Sequence, residues 1–343
     1  MSLDYALLKR LSEVAGIPGW EDRVRELVRE ALEGLVDEVR TDTLGNLFAR
    51  KKGKGPRVMV AAHLDEIGFY VKHVDEKGFL RVQNVGGFDT RNLFARRVTV
   101  HTAQGDLPGL MNPGGKPIHI SNAEERKKIP EVKEFFVDLG LPAEAVRKRV
   151  RVGDPVTLWQ QAEEVGAFFT GKAMDDRASV FVLLEALKRL KNKKIGVDLY
   201  AVFTTQEEVG LRGALTGAYG LEPEVGIALD VTLAVDTPGS PEDEAVTQMG
   251  RGVGIKVMDS SHISDRGLVW QFVEIAEKKK IPYQMEILPL GGTDAGAIQR
   301  SRAGVPAITL SIPTRYIHTV TEAVHKGDLE ATVALLVAYL RGQ

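Results

Sequence analysis

The sequence predicts an α/β protein with a small β-rich module inserted into it, and three observations carry that prediction. Four apolar, β-branched runs of strand length (residues 57–62, 199–203, 226–229 and 307–311) alternate with amphipathic helical stretches, the pattern of an open sheet covered by helices. Each run delivers ionisable residues at its end or in the loop that follows, where open α/β sheets gather their chemistry. Between residues 69 and 161 the pattern changes to short alternating runs split by glycines about every ten residues, which reads as a small barrel or sandwich.

Length agrees with two domains, since 343 residues exceed the ~150 typical of one. Residues 1–68 and 162–343 are expected to form a discontinuous α/β domain, with 69–161 as the insert. Hydrophobic residues make up 43 % of the chain, enough for a sizeable core. A net charge of −2 gives no reason to expect nucleic acid or an anionic membrane as partner. No apolar run reaches the ~18 residues of a membrane span. The first residues lack the features of a signal peptide, so a cytoplasmic protein is expected. Cysteine is absent, which removes disulfides and thiolate ligands together and leaves metal binding to His, Asp and Glu.

In order along the chain, residues 4–15 place Leu7, Leu8, Leu11 and Val14 on one helical face. Gly16-Ile17-Pro18-Gly19 breaks that helix, and a second over 21–35 turns Val24, Leu27, Val28 and Leu32 inward. Residues 39–51 read as a hairpin turning at Leu44-Gly45-Asn46. The strand 57–62 then leads to His63-Leu64-Asp65-Glu66. Within the insert, strands are expected over 70–74, 78–85 and 97–102, with one short helix over 130–136. The insert carries no clustered acids and histidines, so it reads as an interaction or shielding module. Asp175 and Asp176 precede a helix whose Val180, Leu183, Leu184 and Leu187 share a face. The strand 199–203 delivers Glu207 and Glu208, and the run 226–229 ends in Asp230. A Pro/Gly/acid-rich loop (238–252), a helix (266–280) and a strand (283–288) follow. Asp294 is then placed to cap a helix. The last buried strand, 307–311, carries His318 in its loop, and a helix over 328–341 closes the chain.

Brought together, the strand ends supply His63, Asp175, Glu208, Asp230 and His318, with Asp65 and Glu207 beside them. Two imidazoles and three carboxylates suit divalent Zn²⁺, Co²⁺ or Mn²⁺. Five ligands exceed the needs of one tetrahedral zinc and suffice for two ions if a carboxylate bridges. His63 and Asp65, two apart on an extended segment, share a face, so Asp65 can hold the other ring nitrogen of His63.

Six blocks carry a resemblance: Ala62-His63-Leu64-Asp65-Glu66, Met174-Asp175-Asp176-Arg177, Thr205-Gln206-Glu207-Glu208-Val209-Gly210, Leu229-Asp230, Gly292-Thr293-Asp294-Ala295 and Tyr316-Ile317-His318-Thr319. In this order they resemble the M42 family of dinuclear metallo-aminopeptidases, relatives of glutamyl aminopeptidase and of the self-assembling TET peptidases. The resemblance implies one metal on His63 and Asp230, another on Glu208 and His318, and Asp175 bridging. It makes Glu207 the general base and Asp65 the carboxylate behind His63. Asp176 stands where relatives often have Asn. The resemblance further implies a zinc-peptidase-like mixed sheet, a PDZ-like dimerisation domain in the insert, short peptide substrates, and assembly to a dimer and on to a dodecamer.

Other residues take plainer readings. His73, His101, His119, His262 and His325 match no metal block and are expected in surface or hydrogen-bonding roles. Gly210 and Gly213 read as turn formers, Arg177 as an ion-pair partner for nearby acids, and Lys172 suggests no role. Two rival functions can be stated. An endoglucanase-type glycosidase, a label given to some members of this family, needs two carboxylates about 5 to 10 Å apart across a sugar and leaves the ligand set unexplained. A non-catalytic, metal-stabilised scaffold leaves Glu207 surplus.

Overall fold

The structure is a computed structural model that describes residues 2–342, and no helix in that span is long and apolar enough to cross a membrane. The chain forms two compact units, one running to Glu66 and resuming over Gln161–Ile317 and from Thr321 onward, the other made of Ile67–Gln160 with His318–Val320.

In the first unit, α1 (Tyr5–Glu13) starts where the Asp4 side chain accepts the Leu7 amide. After α2 (Asp22–Ala31) come the antiparallel pair β1 (Glu38–Thr41) and β2 (Leu47–Lys51), then β3 (Arg57–His63). The expected second helix stops at Ala31, because residues 32–35 tighten into turns that put Gly34 at a φ of 68°.

The second unit is a closed barrel of six antiparallel strands. They are β4 (Gly68–Val74), β5 (Leu80–Val85), β6 (Arg96–Thr102), β7 (Gly105–Pro113), β8 (Phe135–Asp138) and β9 (Pro155–Leu158), in the order β4-β5-β8-β7-β6-β9. Two short helices, α3 (Ala123–Lys127) and α4 (Ala143–Arg149), interrupt it. The helix expected over 130–136 is instead one 3₁₀ turn, Val132–Glu134, leading into β8. Phe135 and Val137 explain the difference: they alternate inward with the period of a strand, and both are fully buried in the barrel core.

The chain returns to the first unit through β10 (Glu163–Val165) and β11 (Phe168–Gly171). It continues through α5 (Met174–Leu190), β12 (Asp198–Thr204), α6 (Arg212–Leu221), β13 (Val225–Leu233) and β14 (Val253–Met258). Then follow α7 (Arg266–Lys279), β15 (Tyr283–Ile287), α8 (Asp294–Gln299), β16 (Ala307–Arg315), β17 (Glu322–His325) and α9 (Lys326–Leu340). The strands make one mixed sheet in the order β1-β2-β12-β3-β13-β16-β17-β11-β10, with β14 and β15 attached beside β16. The β12, β3, β13 and β16 strands are mutually parallel. Helix α5 packs on β3 and β13 and against α1 and α9, with Val180, Leu183, Leu184 and Leu187 all fully buried. Truncating one of those leucines to alanine would cost about 2–5 kcal/mol. That rigidity matters because the two acids at the start of α5 belong to the candidate site.

Candidate active site

Strand register brings the first residues together. β12 and β3 end level, with His63 opposite Thr204. β3 and β13 pair up to Ala61 and Ala228, so His63 and Asp230 lie two residues further on along each strand. Asp230 is therefore a mid-strand residue rather than a terminal one, since β13 continues beside β16 as far as Leu233. The acid still reaches the end of the sheet, because its neighbour β3 has stopped. Asp175 and Asp176 enter from the first turn of α5, where Ala173 is left-handed, both acids have non-helical backbone angles, and their shared peptide bond is cis.

His63, Asp175, Asp176 and Asp230 each offer a ligand atom within 4.8 Å of the others. His63 Nε2 lies 3.0 Å from Asp175 Oδ1, and its main-chain N–H donates to Asp176 Oδ2 at 3.1 Å. Its Nδ1 lies 3.0 Å from the main-chain oxygen of Asp65. A carbonyl only accepts, so Nδ1 carries the proton and the Nε2 lone pair of the neutral ring faces the Asp175 carboxylate. Two acceptors facing one another at this distance fit a proton or a cation between them. Asp175 and Glu208 likewise bring carboxylate oxygens within 4.8 Å of each other.

Asp65 differs from expectation in one respect. Its carbonyl meets the His63 ring, whereas its carboxylate accepts the amides of Glu207 and Glu208, each at 3.0 Å, and stays 3.7 Å from Nδ1. Glu207 Oε2 stands 3.8 Å from His63 Nε2. His318 is half-buried at a left-handed φ of 63°, beside Gly87 in the second unit.

Electrostatics in the first unit follow from crowding. Burial and the charges of Asp230 and Asp175 push the Asp176 carboxyl well up. Burial, with Asp175 and Asp294, does the same to Asp230, and burial, with Asp230, Asp294 and Glu208, to Glu207. Burial works against a charged His63, but Glu207, Asp175 and the other acids outweigh it and raise the imidazole.

Two residues have more to do here than the sequence suggested. Asp176 joins the cluster itself, and only its adjacency to Asp175 could have signalled that. Asp294 does not cap α8, a position held by Thr293; its buried carboxylate accepts from Thr204 Oγ1 at 2.5 Å. Burial and the charge of Asp65 push it up to about 6. The histidines outside the metal blocks are placed as expected. His101 sits between Thr157 and Asp106, His262 pairs with Asp259, His325 caps α9, and His73 and His119 are exposed. Lys172, which suggested no role, grips both oxygens of Glu66 at 2.7 Å. Arg177 is fully buried and donates chiefly to the carbonyls of Leu11, Val14, Gly16 and Leu64.

Comparison with known proteins identifies the family. The family model for M42 glutamyl aminopeptidase matches residues 45–335. The lysyl aminopeptidase of Pyrococcus furiosus is 36 % identical, covering 98 % of this chain and 97 % of that protein. A TET aminopeptidase from a marine sediment Thaumarchaeota archaeon superposes with a TM-score of 0.95 at 37 % identity, over 98 % of this chain and 95 % of its own. The TET1 peptidase of Pyrococcus horikoshii, which can assemble into a tetrahedron or a large octahedral shell, gives a TM-score of 0.89 at 30 % identity over 99 % of each chain. The chain thus belongs to the M42 peptidase family and is an aminopeptidase, a hydrolase of peptide bonds.

Proposed function

We propose that the chain removes residues from the amino termini of short peptides with two divalent ions, Zn²⁺ or Co²⁺ and with Mn²⁺ as a further candidate. His63 and Asp230 would hold one ion, Glu208 and His318 the other, and Asp175 both. The observation that carries this reading is the excess of buried carboxylates around one imidazole, with donor atoms within 4.8 Å. Bound there, the ions would polarise the scissile carbonyl and lower the pKa of the attacking water. Glu207 then takes a proton from that water and passes it to the leaving amine, a role suited to a carboxylate whose pKa is raised by burial. Asp65 holds the Glu207 and Glu208 backbone and keeps the His63 ring in one orientation.

The same proposal makes residues 69–161 the module of self-association, building a dimer and from it a closed dodecamer that admits short peptides. A cytoplasmic setting belongs to it as well, compatible with a chain that has no disulfide to lose in a reducing compartment. Neither rival function draws support from the site. A glycosidase has no use for acids gathered around a histidine, and a scaffold has none for Glu207. One assay tests the reading: aminoacyl anilides and a β-glucan, each with and without chelator. Chelator-sensitive cleavage of anilides alone is expected, and cleavage of the glucan alone would overturn it. For the assembly, light scattering at micromolar concentration with metal present should give a mass near twelve chains; a monomer mass would reject the shell.

A further inference from the structure

The segment that carries Glu207 and Glu208 is held in an unusual way. Four consecutive amides each donate to a side-chain oxygen from a distant part of the first unit. The Thr205 amide donates to Asn46 Oδ1 at 3.0 Å, that of Gln206 to Glu21 Oε1 at 3.1 Å, and those of Glu207 and Glu208 to the two oxygens of Asp65 at 3.0 Å. All three acceptor side chains are buried. Asn46 is itself fixed, since its Nδ2 donates to Asp42 Oδ2 at 2.7 Å and to the Gly213 carbonyl at 3.0 Å. A Cβ on Gly213 would come within 2.3 Å of Asn46 Oδ1, so this glycine serves close approach rather than a turn.

Within the segment, Gln206 is left-handed at a φ of 56°. A non-glycine residue there is strained by roughly 1–3 kcal/mol and persists only where its surroundings over-determine it. Glu21 provides that constraint. Its Oε1 also takes the Gly19 amide at 2.8 Å, which ties the break between α1 and α2 to the residue before Glu207.

We propose that Glu21 is a positioning residue for the peptidase reaction, fixing the Gln206 amide and thereby where the Glu207 and Glu208 carboxylates stand. The inference rests on the roles given above to those two acids. Buried amides need acceptors in any fold, so a merely structural Glu21 would affect stability alone. A positioning Glu21 affects chemistry, because a misplacement of about 1 Å can reduce turnover ~10²-fold.

Three readouts separate the two: kcat against KM, Co²⁺ or Zn²⁺ affinity by competition with a chromogenic chelator, and thermal unfolding. Glu21→Ala should reduce kcat at least ~10-fold with KM changed less than ~3-fold, and weaken the ions ~10-fold through Glu208. Glu21→Gln, which keeps an acceptor oxygen in the same place, should restore both to within ~3-fold of the wild type. A folded Glu21→Ala with wild-type kcat and ion affinity, merely easier to melt, would overturn the proposal. So would a Glu21→Gln as impaired as the alanine, since charge rather than position would then be what matters. If Glu21→Ala does not fold, Glu21→Asp replaces it, withdrawing the acceptor by one methylene; the same losses sustain the proposal and wild-type values reject it. Glu207→Gln in the same assays keeps the two readings apart. Should it stay active, the role given to Glu207 fails; should it be inactive while Glu21→Ala behaves as wild type, only the positioning role fails.

Discussion

Neighbouring residues send their charges into two buried clusters, one in which the acid is paired and one in which acids are in excess. Asp65 and Glu66 are adjacent, as are Asp176 and Arg177. Glu66 faces Lys172, which holds both of its oxygens at 2.7 Å, while Arg177 lies 3.8 Å away with its own donors on four carbonyls. Burial pulls the Lys172 ammonium down, and Glu66 opposes that pull. On the other side, Asp175, Asp176, Asp230 and Glu207 surround the single imidazole of His63, and burial with mutual repulsion drives three of those carboxyls up. A buried charge is tolerable where the protein supplies its partner. Glu66 has such partners and needs nothing further; the His63 cluster has acids in excess, and under the proposed function a cation from solution would neutralise them.

Removing divalent ions should divide the clusters most sharply. We expect two ions per chain by elemental analysis, loss of all peptidase activity on chelation, its return with Co²⁺ or Zn²⁺, and a lower melting temperature for the stripped protein. Full turnover by protein holding no measurable metal would erase the distinction between the clusters. Next in size is Glu207→Gln, nearly isosteric and lacking only the ability to take a proton. Turnover should fall at least ~10²-fold, about 3 kcal/mol of barrier, with ion content unchanged. Glu208→Gln should lose an ion and, through it, activity. If the two variants exchange these behaviours, the roles of the adjacent glutamates are reversed.

Much of the excess-charge cluster was legible in the sequence because strand ends announce themselves. Apolar runs stopping at His63, at Glu207-Glu208 and beside Asp230 are local patterns, and parallel pairing of β3, β12 and β13 brings such ends level. The balanced cluster was not legible. Lys172 meets Glu66 across 106 residues, and no period or motif encodes a pairing of that separation. The same holds for Glu21, which reads as the start of a helix and reaches Gln206 across 185 residues. Strand β8 was missed for a different reason: four residues of alternating burial give too little period to oppose a helical reading.

The balanced cluster gives the next effect. Lys172→Met leaves the Glu66 carboxylate buried with Arg177 at 3.8 Å, and should lower stability by about 3 kcal/mol in denaturant unfolding. Ion content of the folded protein should not change. Adding Glu66→Gln removes the orphaned charge while keeping an acceptor for the Gly16 amide, which now binds Glu66 Oε1 at 3.1 Å, and should recover part of the loss. A Lys172→Met protein that keeps its stability but sheds metal would place Lys172 in the other cluster.

The smallest effect belongs to an ion pair outside both clusters. Arg315 Nε lies 2.6 Å from Asp236 Oδ1, and the Met249 amide donates to Oδ2 at 3.0 Å. The hydrogen bond from Arg315 holds the Asp236 carboxyl below its usual value, against a smaller opposing effect of burial. The sign of the pH dependence follows. A depressed folded pKa contributes stability that is present above the unfolded value of about 3.9 and is lost as pH falls through the lower folded value. Solvent still reaches both side chains, which are 16 % and 22 % exposed, so the contribution at pH 7 should not exceed ~1 kcal/mol. Asp236→Asn removes the charge and keeps one of the two acceptor oxygens, since its Nδ2 is a donor. Its deficit relative to the wild type, measured by urea unfolding, should shrink steadily below about pH 4. A deficit that persists undiminished in acid would assign the effect to hydrogen-bond geometry instead. One of several kcal/mol would mean that a pair still reached by solvent contributes as much as the closed Lys172–Glu66 pair, and burial would no longer explain the difference between them.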